Sequence, residues 1–112
     1  MIARIWHGRV LTANSEAYHQ FLREKGLADY HISGNRGVFV LKRAEGDISH
    51  FYTLTFWDDV EAIRRFAGDD YEVAKYYPED DDFLLEFERT VTHFDVLEMP
   101  EWMRGLYPPE QK

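Results

Sequence analysis

Between Ile2 and Val10, apolar and aromatic residues are interleaved with polar ones, and Thr12, Ala13, Asn14 and Ser15 end the run, which predicts a first strand. From Glu16 the period changes. Ala17, Tyr18, Phe21 and Leu22 recur at three- and four-residue steps, Asn14 or Ser15 is available as a cap and Gly26 as a stop, so a helix follows. Asp29 to Arg36 reads as a polar connection. Val38 to Leu41 predicts the second strand, Glu45, Gly46 and Asp47 a turn, and Ile48 to Trp57 a third strand, together forming a hairpin. Asp58 or Asp59 then caps a second helix with Val60, Ile63, Phe66 and Ala67 on one face and Gly68 at its end. A short helical turn is expected around Tyr71 to Tyr76, before Pro78. The last strand falls within Phe83 to Leu97, with its best stretch from Phe87 to Val96.

The order β-α-β-β-α-β predicts an α+β domain of ferredoxin-like type over residues 1–97. Its sheet is four-stranded and antiparallel, in the order 4-1-3-2, with both helices on one face. Residues 98–112 form a C-terminal tail in which Trp102, Met103, Leu106 and Tyr107 precede two prolines. The strands lack the alternation expected of a sheet with one wet face. In the third strand His50, Tyr52, Leu54 and Phe56 share one parity and Phe51, Thr53, Thr55 and Trp57 the other, and the second strand sets Val38 and Val40 against Phe39 and Leu41. Two helices cover one side only. A second copy of the chain is the expected cover for the other, since a tail with three prolines is too short for it.

A chain of 112 residues suits one domain. The net charge of −8, with no basic run, argues against nucleic acid as a partner. Having no cysteine, the chain cannot use disulfides, thiolate nucleophiles or cysteine-ligated metals. Neither a signal peptide nor a membrane-length apolar run is evident, and a cytoplasmic location is expected.

Four segments carry a resemblance. Met1 to Gly8, Gly34 to Val38, Thr55 to Arg64 and Ala74 to Asp80 together resemble antibiotic-biosynthesis-monooxygenase domain proteins, the similarity running from Met1 to about Val96. The resemblance implies a dimeric α+β barrel with a ligand cavity between sheet and helices. Such families include cofactor-independent quinone-forming monooxygenases and haem-degrading monooxygenases. The haem-degrading branch is expected to carry Asn, Trp and His where this chain has His7, Phe66 and Tyr76. The quinone-forming branch is expected to place Asn, Trp, Tyr and Arg around its pocket, types that Trp57, Tyr76, Tyr77 and Arg36 supply.

His7 is the expected base, because its parity with Ala3 and Ile5 could aim it into that cavity, where a neutral imidazole can take a proton from a phenolic substrate. The alternative is a hydrogen-bonded histidine on a half-buried strand. His50 and His93 lie on strands expected to flank the first, so a three-histidine metal site is conceivable only if all three share a face; no metal is expected. His19 and His31 are read as solvated. Trp57, Phe66, Tyr71, Tyr76 and Tyr77 offer aromatic walls and hydroxyls to a flat, hydrophobic ligand, or else simply fill a core. Glu79 to Asp82 lacks the spacing of a calcium loop and reads as a solvated connection. The expected activity is a monooxygenation of an aromatic or polyketide-like substrate that needs no cofactor. A non-catalytic dimeric module binding a hydrophobic ligand or a protein is the alternative, and haem binding or degradation a further one.

Overall fold

The computed structural model describes residues 1–26, 30, 32–74 and 83–101. Its elements are β1 (Ile2–Leu11), a 3-10 turn (Thr12–Asn14), α1 (Ser15–Phe21) continued by a π turn (Leu22–Gly26), β2 (Asn35–Glu45), β3 (Ile48–Trp57), α2 (Val60–Ala67), β4 (Leu84–Phe87) and β5 (Thr92–Asp95). All strand pairs are antiparallel, in the order β2-β3-β1-β4, with β5 also alongside β1.

The last strand is therefore two strands. β4 pairs with Gly8 to Val10 and β5 with Ile2 to Ile5, leaving Glu88 to Val91 between them. Glu88 N–H still donates to His7 O at 3.1 Å, and beyond it the backbone turns elsewhere: Val91 N–H donates to the Glu72 carbonyl and Ala74 N–H to the Arg89 carbonyl, both at 2.8 Å, while Val73 bridges Thr90. The same pairing replaces the helical turn expected at Tyr71 to Tyr76, at least over its described residues 71–74. The interruption buries Val91, which the continuous strand expected from Phe87 to Val96 would not single out.

Turn chemistry sets the rest. Gly46 adopts a positive φ of 63° in the two-residue hairpin loop. Thr12 clamps that loop, its N–H donating to Asp47 O at 2.7 Å and its hydroxyl to Gly46 O at 2.9 Å. Asp59 caps α2 by accepting the Ala62 N–H at 2.9 Å, and Gly68, at φ 90°, ends it. Gly34 combines a φ of 94° with a close approach to α2, where a Cβ would collide with that of Ala62.

On β1 the even residues face the helices. Trp6 and Val10 pack with Tyr18, Leu22, Phe51, Ala74 and Val91 in a core under α1, and Gly8 leaves room for the Trp6 indole, 2.6 Å from where a Cβ would stand. A second core under α2 joins Trp57, Ala62, Ile63 and Phe66, with Ile2, Tyr30, Ile32 and Tyr71 against it. The pairings His7↔Tyr52, Ile5↔Leu54, Phe39↔Leu54 and Leu41↔Tyr52 put the other parity on the far side of the sheet. There Phe39, Leu41 and Phe94 are 42–50% exposed, and no described element covers them.

Replacing Gly34 with alanine is expected to cost about 1–3 kcal/mol, because it adds strain at positive φ to a steric collision. Denaturant melts of the variant against wild type measure this, and an unchanged midpoint would show that the loop relaxes freely away from α2.

Candidate functional site between the sheet and the second helix

Between the two cores runs a polar seam. Arg4, Thr53 and Thr55 are all buried on the helix-facing side of β1 and β3. Arg4 lies opposite Thr55 on one flank and His93 on the other, so strand pairing sets the two residues side by side, near enough for the Arg4 charge to act on the imidazole. The Arg4 guanidinium sits 5.3 Å from the centre of the Phe66 ring, and its Nη2 lies 3.5 Å from the carbonyl oxygens of Tyr71 and Val73. Among the described residues its Nε meets no acceptor, and the buried His93 Nε2 likewise has no partner.

Electrostatics follow from that placement. Burial lowers the affinity of His93 for a proton, and the adjacent Arg4 charge lowers it further, against a smaller opposing effect of Glu72, so the neutral imidazole is favoured. Burial likewise lowers the pKa of Arg4, offset in part by Tyr30. Tyr71 closes the side, its ring edge-on to His93 at 5.4 Å and also beneath the guanidinium of Arg64. A neutral base beside a fixed cation under an aromatic lid can accept a proton and hold the anion left behind.

No protein-family model matches the chain, and no curated protein matches it in sequence. Solved structures do. A candidate antibiotic biosynthesis monooxygenase from Bacillus cereus superposes with a TM-score of 0.62 at 12% identity, covering 99% of this chain and 98% of its own. The haem degrader MhuD from Mycobacterium tuberculosis, solved with two haems in its active site, gives 0.61 at 14% identity over 89% of this chain and 99% of its own. The Pseudomonas aeruginosa protein PA3566 gives 0.63 at 14% identity over 87% and 94%.

The chain shares the fold of these three structures.

Within this fold the residues expected at the site divide. Trp57 and Phe66 come together in the core under α2, where Trp57 is fully buried with its indole N–H donating to Thr55 Oγ1 at 2.8 Å, and Phe66 stacks on Tyr30 at 4.5 Å. Tyr76 and Tyr77 lie outside the described residues, as do His31, Glu79 to Asp82, Trp102, Met103, Leu106 and Tyr107. Arg36 forms a bidentate pair with Asp58, both contacts 2.7 Å, tying the start of β2 to the approach to α2.

His7 faces away from the helices, which corrects the orientation expected of it: Trp6 and Val10 take the inner side, so position 7 must point outward. There it joins a chain of four groups. Glu88 Oε2 lies 2.9 Å from His7 Nδ1, His7 Nε2 lies 2.9 Å from His50 Nδ1, and His50 Nε2 lies 3.2 Å from Glu45 Oε1. Ring planes 15° apart with centroids 5.2 Å apart make the imidazole contact edge to edge, the geometry of a hydrogen bond and not of two ligands converging on an ion. His93 is on the opposite face, so the three histidines do not converge. Sequence reading passed over Arg4 and the partnership of His93 with it. The available signal was Arg4's parity with Trp6 and Val10.

The Arg36–Asp58 pair is exposed, so Arg36→Ala is expected to cost no more than about 1 kcal/mol in denaturant melts. The Asp58 carboxyl is held below its ordinary pKa chiefly by the Arg36 hydrogen bonds. The contribution is therefore present above the unfolded aspartate value of about 3.9 and fades as pH falls below it. A loss of several kcal/mol, or one that grows in acid, would refute a surface clamp.

Proposed function

We propose that the chain is one subunit of a homodimeric, cofactor-independent monooxygenase that acts on an aromatic or polyketide-like substrate between the sheet and α2. The observation that carries the reading is buried Arg4 beside half-buried His93, with Arg4 Nε and His93 Nε2 both unbonded among the described residues. Neutral His93 takes a proton from an activated C–H or phenolic O–H. Arg4 stabilises the resulting carbanion or phenolate, whose electrons pass directly to dioxygen. A methylene thereby becomes a carbonyl and the second oxygen atom leaves as water. Phe66 and Tyr71 supply aromatic walls, and Tyr76 and Tyr77, which follow in the chain, are proposed to complete them. His7, on the other face, takes no part.

Dimerisation is supported by the sheet face that no described element covers, where Phe39, Leu41 and Phe94 stand exposed beside half-buried Ile5, Leu54 and Phe56. Hiding such a surface is worth about 25 cal/mol per Å² before association costs. A second reading, a non-catalytic dimeric module binding a hydrophobic ligand or protein, is favoured by the packing of Trp57 and Phe66 as ordinary core. A haem-binding reading rests on the likeness to MhuD.

Oxygen uptake with a panel of anthrones and hydroquinones separates these readings. Wild type is expected to consume oxygen, His93→Gln to be slower by roughly 10²–10⁴-fold, and His7→Ala to stay active. Because the His93 pKa is depressed, the acid limb of kcat/KM is expected below the ordinary histidine value of about 6.5 and absent in His93→Gln. No uptake with any substrate points to the binding module, and a Soret band on adding hemin points to haem. Light scattering at tens of micromolar is expected to give a dimer mass, and Leu41→Lys a monomer; a monomeric wild type would defeat the subunit reading.

A further inference from the structure

Arg4 is 2% exposed, whereas the paired arginines on the surface, Arg9, Arg36, Arg43 and Arg64, each keep more than a quarter of the side chain in solvent and each face a carboxylate. No described Asp or Glu forms an ion pair with Arg4. What surrounds it is a ring face, two carbonyl oxygens at the long limit of hydrogen bonding, and the imidazole of His93. A buried guanidinium so poorly solvated by its own protein is stabilised by a counter-anion. The planar fork of nitrogens, with Nε free, is the geometry that receives a carboxylate through two parallel bonds.

The surroundings narrow the anion further. Phe66, Trp57, Tyr30 and Tyr71 make the inner walls aromatic. The carbonyls of segment 71–74 contact Arg4 only at 3.5 Å, so a carboxylate can replace those contacts at small enthalpic loss while the backbone bonds to residues 89 and 91 hold the segment itself. Of the other titratable groups, Glu72 acts on His93 from the solvent side and Tyr30 on Arg4 from the α2 side. We propose that the seam recognises aromatic acids, the ligand carboxylate seated on Arg4 and its ring held against Phe66 and Tyr71. This rests on the proposed placement of substrate between sheet and α2, and it adds the substrate's class.

The probes are 2-naphthoate and its neutral analogue 2-naphthylmethanol, titrated calorimetrically into the full-length protein at neutral pH. Wild type is expected to bind the acid at least tenfold more tightly than the alcohol, Arg4→Lys to keep part of that preference, and Arg4→Met to lose it. Ligand-free Arg4→Met is expected to melt above wild type, because the buried charge is gone. Equal binding of the two probes by wild type overturns the proposal, and so does a preference that survives in Arg4→Met. Should Arg4→Met not fold, wild type and Arg4→Lys decide alone. Selective binding of naphthoate without oxygen uptake on any substrate keeps the acid site and removes the monooxygenase. Uptake with neutral anthrones that naphthoate does not inhibit does the reverse.

Discussion

Everything in this molecule depends on β1 having neighbours along both edges. A strand bonded on one side can slide or twist to suit its side chains, but one bonded to β3 over its whole length and to β4 and β5 on the other side cannot. Its parity is therefore imposed, and with it the side on which each residue must lie. Trp6 and Val10 need the apolar interior. Their burial carries Arg4 inward with them, since it stands two residues from Trp6, and sends His7 outward. The polar seam is the structural consequence of satisfying the larger hydrophobic demand at the expense of one charge.

That trade explains what could be read in advance and what could not. The strands, the hairpin and α2 were legible because Ile48 to Trp57 is built of strand formers and Val60, Ile63 and Phe66 recur at helical steps between Asp59 and Gly68. The parity of β1 was not. Ala3, Ile5 and His7 look no less suited to an interior than Ile2, Arg4 and Trp6, and a rule that points charges outward favours the wrong set. Only tertiary packing breaks the tie. The divided last strand was hidden for a similar reason, because residues 89–91 leave β1 to bond with residues 72–74, a long-range choice with no local signature.

The candidate site was half legible. Trp57 and Phe66 were expected together and are together, but as a wall of core and not as an open pocket. His93 was recognised as chemistry without its setting, and its setting comes from Arg4, a residue whose burial no pattern announced. The outer face tells the complementary story. His7 and His50 were considered together only as parts of a conceivable three-histidine metal site, and strand register joins them instead into a line of four polar groups from Glu88 to Glu45, beside an apolar patch that still faces outward.

The division of the last strand also bears on how the sheet ends. Along one margin β1 is capped by two four-residue strands, each too short and too displaced to template a newcomer. Along the other, β2 runs eleven residues with an unbonded row of amides and carbonyls and carries Lys42, Arg43 and Glu45 near its end. A sheet with one such margin cannot propagate by edge pairing, because a contact through β2 uses up that edge, independently of the face on which Phe39, Leu41 and Phe94 stand exposed. Edge pairing alone therefore has no route to a fibre.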